Sequence, residues 1–185
     1  NNSTSATLSC QQSTDVPAGQ GFTNSLKVTA TAGSASITAA QYANLQQIIE
    51  GYNVSDFGFG ASGASSVTLS FWVKATTTGN YSVAIYNGAE NRINPQTFTV
   101  NASNTWEKKT ITYVGDTTGT WLTTSGIGIQ LNFSLGTGTT YSGTAGAWAG
   151  STLLSTTGAT SVVGTNGATF YITGVQLEKG STATS

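Results

Sequence analysis

The sequence contains no histidine and no methionine, a single cysteine, Cys10, and two prolines in 185 residues. Without histidine, Ser-His-Asp and Cys-His hydrolysis and histidine-ligated metals are excluded. One cysteine permits no intrachain disulfide and none of the paired-thiol zinc or redox motifs. Charge is equally scarce: charged residues make up 7%, six Lys plus Arg against seven Asp plus Glu. Such a surface cannot neutralise a run of phosphates, so neither nucleic acid nor an acidic membrane is an expected partner. No apolar run approaches the roughly 20 residues that a membrane-spanning helix needs, and the N-terminus lacks a basic-then-apolar leader pattern. A chain that opens on Asn1 without a methionine is expected to be part of a longer polypeptide.

What is present argues for a folded, strand-rich domain. At 37% hydrophobic and 10% aromatic the chain is too apolar for disorder. Its solubility must come from hydroxyls and amides, a composition that suits β-strands joined by short turns. The length suits one sandwich domain, expected over 25–185, with 1–24 as an N-terminal extension or linker.

Alternation of apolar and polar residues marks half-buried strands. It is clearest from Ile127 to Leu135, where Ile127, Ile129, Leu131, Phe133 and Leu135 share a face. Val67, Leu69, Phe71 and Val73 repeat the pattern and are followed, after Thr76 to Asn80, by Tyr81, Val83 and Ile85. The two read as a hairpin. Thr97 to Val100 and Trp106 to Val114 read as a second pair, and Ser25 to Thr31 as an early strand. In the last strand Phe170 and Ile172 share a face with Val175 and Leu177 only if an extra residue sits near Thr173-Gly174, which predicts a β-bulge. Ala40 to Glu50 is ambiguous: Tyr42, Leu45 and Ile49 have helical spacing, whereas Leu45, Gln47 and Ile49 alternate. A short helix is the expectation there. Gly136 to Gly167 forms one long loop rich in small residues. No fixed repeat is visible, and eight or more short strands predict an all-β fold, a jelly-roll β-sandwich of two antiparallel sheets.

Several segments carry a family likeness: Ser70-Phe71-Trp72-Val73-Lys74, Gly79 to Val83, Thr105 to Lys109, Gly115 to Trp121, and above all Phe170 to Gly180 with its bulge glycine and Gln176-Leu177-Glu178 exit. From about Ser25 to Thr184 the chain resembles carbohydrate-binding-module-like jelly-roll domains of bacteriophage virion structural and tail-fibre proteins. That resemblance implies a virion-surface, extracellular module for host attachment or capsid decoration. Other virion proteins would be its partners, within a homo-oligomer, a trimer being favoured. Jelly rolls of this kind often hold calcium through an aspartate in the final strand; Thr173 stands there in this chain, so neither a metal site nor a cofactor is expected.

The sites follow from chemistry. A glycosidase needs two carboxyl groups roughly 5–10 Å apart. Glu50, Asp56, Glu90, Glu107, Asp116 and Glu178 are scattered, with Glu107 and Asp116 reading as solvated strand and turn residues, so no catalytic residue is expected. Aromatic planes, by contrast, stack on the C–H faces of sugars while amides bond their hydroxyls. Trp72 and Tyr86 are expected outward on one sheet face unless a loop covers them. Trp121, Trp148 and Tyr141 lie in loop-like surroundings, where exposure implies a ligand or an oligomer contact. Trp106 reads as core edge. Asn87, Asn91, Arg92 and Gln130 are candidate donors to sugar hydroxyls. The expected function is non-enzymatic binding of a host-surface polysaccharide. The alternatives are a purely structural virion domain and a glycan-degrading enzyme.

Overall fold

Each long strand carries its apolar residues at alternate positions, and the structure, a computed structural model describing residues 1–184, stacks those faces on one another. The strands are β1 (Thr7–Ser13), β2 (Ser25–Ala32), β3 (Tyr42–Glu50), β4 (Val67–Ala75), β5 (Gly79–Asn87), β6 (Ile93–Val100), β7 (Glu107–Tyr113), β8 (Ile127–Thr137), β9 (Ser142–Gly143), β10 (Ser155–Thr156) and β11 (Thr169–Lys179). One sheet has the order β1-β2-β11-β4-β7 and the other β3-β8-β5-β6, both antiparallel throughout. The fold is the expected all-β jelly-roll sandwich. Ser185, the last position of the expected domain, lies outside the described residues.

The core lies between the sheets. Val67, Leu69, Phe71 and Val73 of β4 meet Val83 and Ile85 of β5 and Ile129, Leu131 and Phe133 of β8, all buried. Each such side chain contributes roughly 1.5–3 kcal/mol through apolar burial. Phe71 stands edge-on to Phe98 at 5.0 Å and to Phe133 at 5.1 Å. Tyr113, fully buried on β7, donates its hydroxyl to the Val83 carbonyl at 3.0 Å, so its one polar atom is satisfied and the two sheets are tied across the core.

The alternation identified faces correctly, but two pairings differ from expectation. β4 and β5 do not form a hairpin: β4 sits between β11 and β7, and β5 between β6 and β8. The Thr76–Thr78 link crosses between sheets, which keeps both apolar faces directed into the core. β6 and β7 are likewise in opposite sheets, and the true hairpin is β5–β6. Asn87 builds its turn, its Oδ1 accepting from the amides of Asn91 at 3.0 Å and Arg92 at 3.1 Å.

The helix expected within Ala40 to Glu50 is instead β3, paired along its length with β8. Without β3, β8 would present an unpaired edge, and nine residues of ladder bonding outweigh a weak helical spacing. Residues 1–24, expected as an extension or linker, contain β1, which pairs along β2. Asn1 to Ser3 also bond the edge of β3, Ser3 N–H donating to Tyr42 O and Asn44 N–H to Asn1 O, both at 2.8 Å. The predicted bulge is present between Thr173 and Gln176 of β11, with Gly174 at φ +60°.

The long segment from Gly136 to Gly167 is irregular apart from β9 and β10, a short parallel pair. It folds onto the outer face of the four-stranded sheet, where Leu154 packs with Ala84, Tyr86 and Ile93. Consequently β5 and β8 are buried on both faces, and their outward residues Gln130, Asn132 and Ser134 become interior polar groups.

Candidate functional site

Interior polar groups need partners, and those on the four-stranded sheet form a chain whose direction a backbone carbonyl fixes. Leu154 O can only accept, so Asn132 presents its Nδ2 to it, at 2.8 Å. Asn132 Oδ1 then faces Asn44, which must turn its own Nδ2 inward to donate. Asn44 Oδ1 is left buried and without a hydrogen-bond partner among the described residues. A second chain runs beside it: Gln130 Nε2 donates to Asn87 O at 3.3 Å, and Gln46 Nε2 donates to Gln130 Oε1 at 2.8 Å and to Tyr86 Oη at 2.6 Å. With its oxygen already accepting from Gln46, Tyr86 keeps its hydroxyl proton for another acceptor. Burial first, and then the Glu90 charge and Tyr42, push the Tyr86 phenol up to about 12 against the pull of Gln46, so it stays a neutral donor.

Of these residues, Asn44, Gln46, Tyr86 and Leu154 line an open groove of about 520 Å³. Tyr42 and Tyr141 form its aromatic wall, ring centres 5.4 Å apart and planes at 87°. Asn44, Gln46 and Tyr86 line it with polar groups, and Glu90, at φ +56° in the β5–β6 turn, contributes a carboxylate. No lysine or arginine lines it among the described residues, and the Asn1 ammonium at its edge donates to Asn44 O at 3.0 Å.

Of the five expected contact residues, Tyr86 and Tyr141 border this groove, but Tyr86 is only 1% exposed, because the loop covers it through Leu154, so little more than its hydroxyl is offered there. Trp72 does not join them: it is half-buried on the outer face of the other sheet, between Lys108 and Thr173. Residues at outward positions of β4 and β5 could share a face only if those strands shared a sheet. Trp121 is not exposed; it is 91% buried from its 9% accessibility, with Nε1–H donating to Asp116 Oδ2 and Thr118 O, each at 3.2 Å. Trp148 packs edge-on against it at 5.5 Å and against Phe59 at 5.7 Å, and donates to Val114 O at 2.8 Å. Both tryptophans support loops. Sequence reasoning missed Tyr42, Asn44 and Gln46, which share a face only once this segment is a strand; the Leu45-Gln47-Ile49 alternation was the available signal.

The other expected polar contacts are structural. Arg92 grips Asp116 with Nε and Nη2, both at 2.7 Å, beneath Trp121. Asp116 is buried rather than solvated as its turn position suggested, because Thr118 and Trp121 wrap donors around it. Burial alone would raise its carboxyl, but Arg92 and Thr118 hold it below the ordinary range. Glu107, expected as a solvated strand residue, receives Lys109 Nζ at 2.5 Å and the Asn101 and Ala102 amides at 2.8 and 2.9 Å. Against the upward push of burial, those donors lower it to about 2. Asp15 is lowered mainly by Lys74 and Trp106, and Glu178 by Thr184. Every carboxyl with a resolved shift is therefore lowered, the opposite of what a general acid at neutral pH requires. Trp106 sits half-buried beside Tyr171 and donates to Asp15 at 2.9 Å.

No family model and no curated protein matches the chain. Solved structures do. The enzymatically active domain of tailspike protein 4 of bacteriophage CBA120 is similar at 15% identity and a TM-score of 0.49, over 94% of this chain. This chain spans 18% of that one's length. The family 11 carbohydrate-binding module of Clostridium thermocellum, in complex with a beta-1,3-1,4-mixed-linked tetrasaccharide, gives 11% identity and a TM-score of 0.48, over 97% of this chain and 86% of its own. The N-terminal cellulose-binding domain of Cellulomonas fimi beta-1,4-glucanase C gives 16% and 0.39, over 86% and 80%.

Proposed function

We propose that this chain is a non-catalytic module that binds a neutral glycan in the groove between Tyr42 and Tyr141, displayed on the surface of a bacteriophage virion. The observation that carries the reading is the meeting, in one open groove, of the aromatic wall of Tyr42 and Tyr141, ring centres 5.4 Å apart, with a Tyr86 hydroxyl that keeps its proton to donate. The tyrosine rings offer apolar surface to the C–H face of a sugar, while the Glu90 carboxylate in the lining disfavours an acidic one. Placement on a virion rests on the sequence resemblance, and weak binding there would be raised by display in several copies.

The test is a glycan array probed with the multimerised domain beside Tyr141→Ala and Gln46→Ala variants, folding being checked by circular dichroism. Neutral oligosaccharides are expected to bind, and each variant to bind about tenfold more weakly. Undiminished binding by both folded variants would remove the groove from the reading.

A purely structural role is favoured by a different observation. Leu26, Leu45, Phe133, Ile172 and Val175 line an apolar depression of about 490 Å³, with Leu26 39% and Val175 42% exposed. Such a depression suits an oligomer contact. Sedimentation of the wild type beside Val175→Glu distinguishes the two, because an assembly held there dissociates in the variant, whereas an unchanged mass removes this contact.

A further inference from the structure

A second cleft, of about 630 Å³, opens on the outer face of the five-stranded sheet, on the far side of the core from the groove. We propose that it is a second saccharide site and that it takes an acidic sugar, a uronic-acid unit. Trp72 supplies the stacking surface: it is half-buried, and no protein acceptor takes its indole N–H among the described residues. Phe22 forms the facing apolar element, and the bulge of β11 makes its position possible. A Cβ on Gly174 would lie 2.4 Å from the Phe22 ring, so glycine there admits the ring, and Thr173 pins the segment by donating to Asn24 O at 2.9 Å. Gln20 and Gln176 add amides suited to hydroxyls.

Charge decides the class of sugar. Lys74, Arg92, Lys109 and Lys179 are each in an ion pair, whereas Lys108 has none among the described residues and is exposed. Lys108 is the cross-strand neighbour of Trp72 and lines the cleft, so an ammonium group stands beside the stacking plane. No carboxylate lines the cleft among the described residues; the nearby Glu178 is engaged by Thr184 N–H at 3.0 Å and its hydroxyl at 2.6 Å. The groove differs in carrying a carboxylate, that of Glu90, and no lysine or arginine among the described residues. A sugar whose ring stacks on Trp72 can place a carboxylate on Lys108.

This site does not depend on the groove, and one experiment separates them. The full chain is titrated calorimetrically with tetragalacturonate and with neutral cellotetraose, using the wild type, Trp72→Ala, Lys108→Gln and Tyr141→Ala. Tetragalacturonate is expected to bind the wild type, about tenfold more weakly to Trp72→Ala and about fivefold more weakly to Lys108→Gln. Lys108→Gln is also expected to flatten the dependence on salt, a change that lost packing would not produce. Tyr141→Ala leaves tetragalacturonate binding intact. The proposal is overturned if tetragalacturonate does not bind the wild type, if its binding survives both Trp72→Ala and Lys108→Gln, or if Tyr141→Ala abolishes it.

Discussion

Trp121→Ala separates a tryptophan that holds the fold from one that holds a ligand. The ring is 9% accessible, packs edge-on to Phe59 at 4.8 Å and to Trp148 at 5.5 Å, and donates to Asp116 and Thr118. Truncating a buried tryptophan costs about 3–5 kcal/mol through lost transfer free energy and the cavity left behind. The two edge-to-face contacts, each worth about 0.5–1.5 kcal/mol beyond area, place this site toward the upper part of that range. Asp116 keeps Arg92 and Thr118 as donors, so no bare buried charge adds to the cost. For a domain of this length each kcal/mol lowers Tm by about 2–4 °C, which gives a fall of roughly 6–20 °C. The assay is thermal unfolding followed by circular dichroism, with glycan binding measured well below the variant's midpoint. A large fall in Tm with binding retained is expected. An unchanged Tm together with lost binding would refute the structural assignment and return Trp121 to the contact set.

Asp116→Asn keeps the side chain's shape but leaves Arg92 without its carboxylate, and with the Arg92 side chain 22% exposed the expected loss is about 2 kcal/mol; an unchanged urea midpoint would contradict the role of the pair. Glu107 titrates at about 2 in the folded chain against an ordinary value of 4.5, so its stabilisation is complete above about pH 4.5 and lost as the pH falls toward 2. The shift is worth at most ~3 kcal/mol, and Glu107→Gln should flatten the loss of stability between about pH 5 and about pH 2 in urea titrations; equal pH dependence in both proteins would count against it.

The sheet faces were legible because alternation has period two and needs no knowledge of neighbours: Val67 to Val73 and Ile127 to Leu135 point into the core as their spacing requires. The β11 bulge was legible for the same reason, since the phase of Phe170 and Ile172 fails to reach Val175 and Leu177 without an extra residue. Pairing was not legible. Which edge a strand bonds depends on which edges remain free, and β4, flanked by β11 and β7, had none left for β5. β1 was missed because an edge strand such as Thr7–Ser13, with few apolar residues, carries little face signal.

The sequence by itself determined that histidine chemistry, disulfides and a phosphate-neutralising surface are absent, and that alternating strands form a two-sheet sandwich, because residue inventory and local period fix these. Only the tertiary structure decided which aromatic side chains are free to meet a ligand. Tyr42 and Tyr141 wall the groove from a strand and a long loop, with Tyr86 almost wholly buried at its floor, whereas Trp121 and Trp148 turn inward onto Phe59. Exposure is a property of what lies opposite a side chain in space, and for Trp121 the covering residues are Asp116, Phe59 and Trp148, two of them far along the chain and none adjacent to it.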